Sequence, residues 1–337
     1  MQKEGLSVLT KARSYGADDL RLLAKIARMY HERGIRQPEI AADLHISQSR
    51  VSRLLQQASD LGIVRTTVAL PSGVFTDVEE DLEARYGLLD SVIIEADESS
   101  GGVDRALGAS AAAYLRETLA NGDVIGVSPW SPALHFTVEA MRPKAGLVVK
   151  IVTQLVGGIG DPRVHIDTTR LLDRFANLTG ARPVFLPPPG VVKSQKVRRA
   201  LLSDPAVITV LQSCRQLSVA VVSVESVEHP SHLQNSGAGN HLDQQAELRE
   251  LGAVGEICLR YFDQEGNLIG SPHNGRILGI SVDQLKAVPR RIGVAGGSQN
   301  RTAIAAALKG GWINTLVTDL DTARYLLGAQ TPEKDQA

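Results

Sequence analysis

The chain is 337 residues long, 22% charged and 43% hydrophobic, with a formal net charge of −1. It has room for two domains and a substantial core. No stretch reaches the ~18 apolar residues of a bilayer span, and the opening MQKEGLSVLT lacks a secretion signal, so neither export nor membrane insertion is expected. Cys214 and Cys258 sit in apolar segments without CxxC spacing and read as buried hydrophobes in a reducing cytoplasm, not metal ligands. Charge is unevenly spread. Residues 1–68 hold 11 Lys/Arg against 7 Asp/Glu, a net of +4, and the remainder holds 25 against 30, a net of −5. A basic module on an acidic body suits a nucleic-acid reader.

In chain order, Asp18 and Asp19 open a first helix whose Leu20, Leu23, Ala24, Ala27 and Tyr30 share one face, and Gly34 ends it. A second helix is predicted from about Pro38 to Leu44, with Pro in its first turn. Ser47 caps a third, carrying Val51, Leu54, Leu55 and Ala58, and Gly62 stops it. Ile63–Val68 reads as a short strand, a wing. Leu70-Pro71-Ser72-Gly73 marks a linker. From Asp77 onward, strands (Val124–Val127, Val148–Val152, Val219–Val222, Arg291–Val294, Thr315–Val317) alternate with helices (Val103–Leu119, Pro132–Met141, Asp167–Ala176, Thr302–Leu308, Thr322–Leu327). That alternation, with nearly all-apolar strands, predicts an α/β sheet covered on both faces. Residues 225–245 read as loop-rich. The expected organisation is a helix-turn-helix domain over 1–68, a linker over 69–76, an effector domain over 77–330 and a polar tail over 331–337.

The most informative segment runs from Gln37 to Leu55. Two crossing helices need apolar contacts, supplied by Ile40, Leu44, Ile46, Val51 and Leu54, and a small residue, supplied by Ala41. The exposed face of the third helix then carries Gln48, Ser49, Arg50, Ser52 and Arg53, side chains suited to base edges and phosphates in the major groove. His45 stands at the turn, where Gly is usual because positive φ is favoured there.

The pattern Gln37-x-Glu-Ile-Ala-x-x-Leu-x-Ile-Ser-x-x-x-Val-Ser-Arg-Leu-Leu55, followed by Gly62-Ile-Val64, resembles the SorC family of sugar-responsive bacterial regulators, which includes deoxyribonucleoside and central glycolytic gene regulators. Leu186-Pro-Pro-Pro, Ala200-Leu-Leu-Ser-Asp-Pro205 and Gly252-Ala-Val-Gly-Glu-Ile-Cys258 are similar to its middle section. Ile277-Leu-Gly-Ile-Ser281, Val294-Ala-Gly-Gly297 and Ala305-Ala-Ala-Leu-Lys-Gly-Gly311 are similar to its C-terminal section. The resemblance covers roughly residues 20–328. It implies an α/β effector domain shaped like the phosphosugar isomerases, and a homotetramer on operator DNA near genes of carbohydrate metabolism.

Independently of the family, ligands of open parallel sheets bind beyond the strands' carboxyl ends, where helix N-termini offer unpaired N–H groups. Candidate junctions are Gly126-Val-Ser128-Pro-Trp130-Ser131, Gln154-Leu-Val-Gly157-Gly158, Ala295-Gly296-Gly297-Ser298 leading to Asn300 and Arg301, and Thr318-Asp319, with Arg276 as a further cation. Each glycine turn also has a plain reading as tight geometry, Trp130 as core and Asp319 as a helix cap. In the family the first junction reads Ser-Trp-Gly-x-Thr; this chain has Pro129, Ser131 and Ala133 around Trp130, and Asn300 where Lys is common. These departures argue against phosphate recognition and open the site to a smaller, neutral or differently charged ligand such as a free sugar or polyol beside a sugar phosphate, with Arg276 and Arg301 available to an anion. The alternative is a sugar-phosphate isomerase-like enzyme, but no acid/base pair or nucleophile elbow is legible. Glu228-His229-Pro-Ser-His232 with His241 has metal-like spacing but reads as solvated loop, so no metal or cofactor is expected.

Overall fold

The computed structural model describes residues 16–64, 73–96, 102–128, 130–158, 162–228 and 241–328. The chain divides into two compact units, Met1–Leu70 and Pro71–Ala337. In the first, α1 (Ala17–Ala27) continues through one wider π turn, Arg28–Glu32, and is followed by α2 (Gln37–Asp43) and α3 (Gln48–Asp60). Asp18 and Asp19 occupy the first turn of α1, and Pro38 that of α2. Ser47 Oγ accepts the Arg50 N–H at 3.3 Å to start α3. Ile26, Met29, Ile40, Ala41, Val51 and Leu55 form the core, and a smaller cluster of Leu23, Ala27, Ala58 and Leu61 ties α1 to the far end of α3. The expected wing does not begin at Ile63. The Ile63 and Val64 N–H groups both donate to Ala58 O, at 2.9 and 3.1 Å, and so close the end of α3 past Gly62 at φ +67°. The rest of that strand, residues 65–68, and linker residues 69–72 lie outside the described residues.

The second unit contains α4 (Thr76–Tyr86), β1 (Asp90–Ile94), α5 (Gly102–Thr118), β2 (Val124–Val127), α6 (Pro132–Ala140), β3 (Ile151–Gln154), α7 (Pro162–Thr179), β4 (Arg182–Val184), α8 (Gln195–Leu201), α9 (Pro205–Ser213), β5 (Val219–Val222), β6 (Glu225–Ser226), α10 (His241–Glu250), β7 (Gly255–Ile257), β8 (Arg260–Phe262), α11 (Val282–Lys286), β9 (Arg290–Val294), α12 (Arg301–Lys309), β10 (Thr315–Asp319) and α13 (Leu320–Leu327). Seven strands form a parallel sheet in the order β1-β10-β9-β5-β2-β3-β4, and β6-β7-β8 form a small antiparallel sheet.

Strand side chains alternate between two cores. Val124, Ile151, Ala220, Val222 and Leu316 face one; Ile125, Val127, Val152, Val219, Val221 and Val317 face the other, under α5, α6 and α7. Both faces are covered, which is why these strands read as apolar runs. Val148, Val149 and Lys150 stand outside the expected Val148–Val152 strand because loop partners hold their amides: Asn121 Oδ1 takes Val148 N–H, Thr179 O takes Val149 N–H and Asp123 O takes Lys150 N–H. The loop-rich expectation for 225–245 is also corrected at its ends, by β6 and by the start of α10; residues 229–240, with His229 and His232, lie outside the described residues. No group of three potential metal-ligating side chains occurs among the described residues.

Candidate functional site

On α3 the five expected residues, Gln48, Ser49, Arg50, Ser52 and Arg53, are all exposed, while Val51, Leu55 and Ala58 of the same helix are buried. Arg53 Nε reaches back to Ser49 O at 3.4 Å, and Ser47 and Ser49 hydroxyls are 3.1 Å apart. His45 adopts φ +52°, the left-handed turn its position requires, and Ile46 N–H then bonds Ala41 O at 3.0 Å. The turn thereby sets the angle at which α3 leaves α2.

In the larger unit the chain leaves β2 toward β3 on one side and leaves β5 toward β9 on the other. β2 and β5 are neighbours, so the sheet has a topological switch point between their carboxyl ends, where such folds bind ligands. Ser128 lies at that point, 3% exposed, its N–H donating to Val221 O at 3.0 Å. Gly126 lets Leu155 and Leu217 pack where a Cβ would stand. Trp130 packs against the core, and Ser131, 4% exposed, precedes α6 without its hydroxyl capping that helix. Pro129 lies outside the described residues. Ala133 is buried in the first turn of α6.

The other junctions end at the same edge, because β3, β2, β5, β9 and β10 are consecutive in register. Much of their polar capacity is spent internally. Gln154 Oε1 accepts Leu186 N–H at 2.7 Å. Gly157 donates to Leu278 O at 3.0 Å, a Cβ there would overlap Pro188 O, and Gly158 O accepts Gly190 N–H at 2.6 Å. Asp319 caps α13 through Thr322 N–H at 2.8 Å and also accepts Gly297 N–H at 2.7 Å, leaving no space for a Cβ at Gly296. Asn300 braces the turn in both directions, accepting Ser226 N–H and donating to Gly296 O, each at 3.0 Å. Arg301 lies 5.9 Å over the Tyr325 ring, and Arg276 bonds His273 Nδ1, whose Nε2 faces Glu247 Oε2 at 3.3 Å.

Several groups at this edge carry no sequence signal. Asp104, near the start of α5, has its carboxyl pushed above the usual range by burial and then by the charge of Glu225, which follows β5. Such carboxylates accept hydrogen bonds from ligand hydroxyls, and a raised one can also hold a proton. The β7–β8 hairpin turns on Cys258 and Leu259, at φ +53° and +61°, where two-residue turns normally use Asn-Gly. Both are buried, and the Cys258 thiol bonds Ser128, so a strained turn lies directly beneath the switch point. Burial pushes the thiols up, that of Cys214 to about 12, and neither is disulfide-bonded.

A family model described as "Putative sugar-binding domain" matches residues 73–328. The deoxyribonucleoside regulator of Bacillus subtilis is 34% identical over 307 residues, spanning 91% of this chain and 97% of that one. The chain belongs to the SorC family of sugar-binding transcriptional regulators. The transcriptional regulator LsrR of Escherichia coli is 31% identical over 90% of this chain and 94% of its own. The crystal structure of the full-length sorbitol operon regulator SorC from Klebsiella pneumoniae matches with a TM-score of 0.68 and 26% identity, over 92% of this chain and all of that one. Membership makes this chain a transcriptional regulator with a sugar-binding domain, not an enzyme, despite the raised carboxyl of Asp104. No helix among the described residues is long and apolar enough to cross a membrane.

Proposed function

We propose that α3 reads operator DNA and that the carboxyl edge of the seven-stranded sheet binds a hydroxyl-rich effector. The DNA half is carried by the exposure of Gln48, Ser49, Arg50, Ser52 and Arg53 together, on a capped helix whose other side is locked in a core. Phosphate and base contacts both require that combination of reach and fixed orientation. The test is operator binding across a salt series. Affinity falls steeply with salt in the native chain, and the slope flattens by about one for each phosphate contact removed at Arg50 or Arg53.

The part of the effector over the β9 and β10 turns is uncharged on this reading. Gly297 N–H is already taken by a carboxylate, Asn300 supplies a neutral brace, and Asp104 with Glu225 adds negative charge nearby. Ser128, Trp130 and Ser131 form the β2 side of the pocket, with Gln154, Gly157 and Gly158 shaping its β3 side. The regulator works in the cytoplasm as a homotetramer, with the reader joined to the effector domain through the residues that precede α4. On this reading the larger unit is shaped like the phosphosugar isomerases and keeps a ligand edge without catalysis. The effector acts only to the extent that it binds one quaternary arrangement better than the other.

A further inference from the structure

The chain that comes from the reader enters the larger unit at α4, and α4 is fastened there in two places. Along its length it closes the outer edge of the parallel sheet, where β1 stands last in the strand order beside β10. The Ser91 and Ile93 N–H groups of β1 donate to Glu83 Oε1 and Glu79 Oε1, each at 2.9 Å. Ser91 Oγ adds bonds to Glu79 O and Glu83 Oε1, each at 3.1 Å. Two carboxylates one helical turn apart thus cover the edge that another strand would otherwise seek.

The last turn of α4 holds α13 instead. Tyr86 OH donates to Leu326 O at 3.0 Å, and Arg85 Nη1 donates to Leu327 O at 3.1 Å. Carbonyls at the end of a helix lack intrahelical donors, and a cation beside them is favoured by the helix dipole. The Gly328 N–H turns back to the Arg324 and Tyr325 carbonyls, so those of Leu326 and Leu327 are left to α4. Packing reinforces the link, since Leu82 of α4 shares one core with Leu320, Ala323 and Leu326 of α13.

The opposite end of α13 lies at the effector edge. Asp319 Oδ1 accepts Thr322 N–H at 2.8 Å, while Oδ2 accepts the Thr322 hydroxyl at 2.8 Å and Gly297 N–H at 2.7 Å. One carboxylate therefore starts the helix and braces the β9 turn together. With eight residues, α13 is a stiff rod of about 12 Å, with Asp319 at one end and Arg85 and Tyr86 at the other. A ligand oxygen that takes Gly297 N–H releases it from Asp319. Free and occupied edges then differ in what holds the start of α13, which is the differential interaction that a relay requires.

We propose that Arg85 and Tyr86 are positioning residues for the effector response: through α13 they make the seat of α4 depend on whether Asp319 holds Gly297. The regulatory use of this link rests on the reading of a ligand edge and a DNA reader given above.

The experiment is a double-mutant cycle on the full chain without ligand, comparing native, D319N, Y86F and the double variant. Operator affinity for the protein's own upstream region is read by fluorescence anisotropy. The seat of α4 is read by amide hydrogen exchange at Ser91 and Ile93. D319N should shift the operator Kd at least fivefold and speed exchange of both amides. In the Y86F background the D319N shift should fall below about twofold, the limit within which separated, independent sites add. R85M should reduce it in the same direction. S91A loosens α4 from β1 without touching α13, so D319N should keep its fivefold effect there; loss of the effect in S91A as well as in Y86F would mean general loosening and overturn the relay. Equal D319N shifts in native and Y86F chains overturn it too, as does an operator Kd indifferent to D319N in a chain that binds DNA specifically. A native chain without specific operator binding sinks the DNA reading instead, and the exchange cycle then decides the link by itself. Should D319N not fold, G297A replaces it, straining the same turn from the donor side at φ +82°, where a Cβ meets no atom within 4 Å.

Discussion

The exposed face of α3 and the carboxyl edge of the parallel sheet are both built from small polar residues and arginines, yet they use them in opposite ways. On α3 the side chains at 48, 49, 50, 52 and 53 stand in solvent, and the contacts between them are local ones along the helix. At the sheet edge the equivalent polar groups are tied across strands: Asn300 to Ser226, Asp319 to Gly297, Gln154 to Leu186. A surface that must meet a polyanion gains from donors held ready in water. A pocket that must choose among sugars gains from donors whose positions are fixed before the ligand arrives.

Breaking the α3 face should have the largest effect. Replacing Arg50 and Arg53 together by Ala should weaken operator binding by about 2–6 kcal/mol, read by fluorescence anisotropy, since each contact contributes about 1–3 kcal/mol. Effector binding should stay as it was, because the residues proposed for the pocket all belong to the larger unit. Retained specific DNA affinity would move the reading surface elsewhere.

At the sheet edge, Ser131→Asp places a carboxylate in the pocket at an N-cap position, where Asp is a favoured residue. It should weaken binding of a free polyol by ~100-fold, and Gly297→Asp should act in the same direction, with operator binding preserved. A smaller loss is expected from Asn300→Ala. Two hydrogen bonds disappear, one from Ser226 of β6 and one to Gly296 within the β9 turn, lowering stability by about 1–2 kcal/mol in denaturant unfolding.

The comparison also shows what was legible beforehand. The helices of the first unit were largely readable because a capped helix with 3.6-residue periodicity is a local object: Ser47, Gly62 and the Ile40–Val51–Leu54 spacing each announce themselves, whereas on α1 the wider turn at Arg28–Glu32 exposes Tyr30 and buries Ile26 and Met29 in its place. The paired strands of the small sheet, β6 to β8, were not foreseen. Their tight turn, Cys258–Leu259, lacks the Asn-Gly signal because burial in the core holds a conformation the residues would not choose. The junctions Gly126–Ser131, Gln154–Gly158 and Ala295–Asn300 were legible as strand-to-helix turns. What their polar groups bind was not, since Asp319 meets Gly297 and Asn300 meets Ser226 only after strands distant in sequence become neighbours. Asp104 was silent for the same reason.

Two weaker effects sharpen the contrast between local and tertiary control. His45→Gly should stabilise the smaller unit by about 0.5–1 kcal/mol, because φ +52° costs a side chain that Gly does not carry. Asp104 gives the smallest and most diagnostic effect. Its folded carboxyl sits above its ordinary value of 3.8, through burial and then Glu225, so the folded state disfavours its charged form. The resulting penalty is absent below the unfolded value and complete above the folded one. Asp104→Asn should therefore raise Tm slightly at pH 7 and leave it unchanged near pH 3. An equal shift at both would assign the effect to packing.

The central claim, that a ligand at the sheet edge controls a DNA reader, is tested most directly by operator binding of the native and Ser131→Asp chains to the protein's own upstream region, titrated with free sugars, polyols and their phosphorylated or oxidised counterparts. The account predicts specific binding by both chains, shifted at least tenfold by one such compound in the native chain and unshifted in the variant. Absence of specific binding by the native chain, or an equal ligand response in the two, would contradict it.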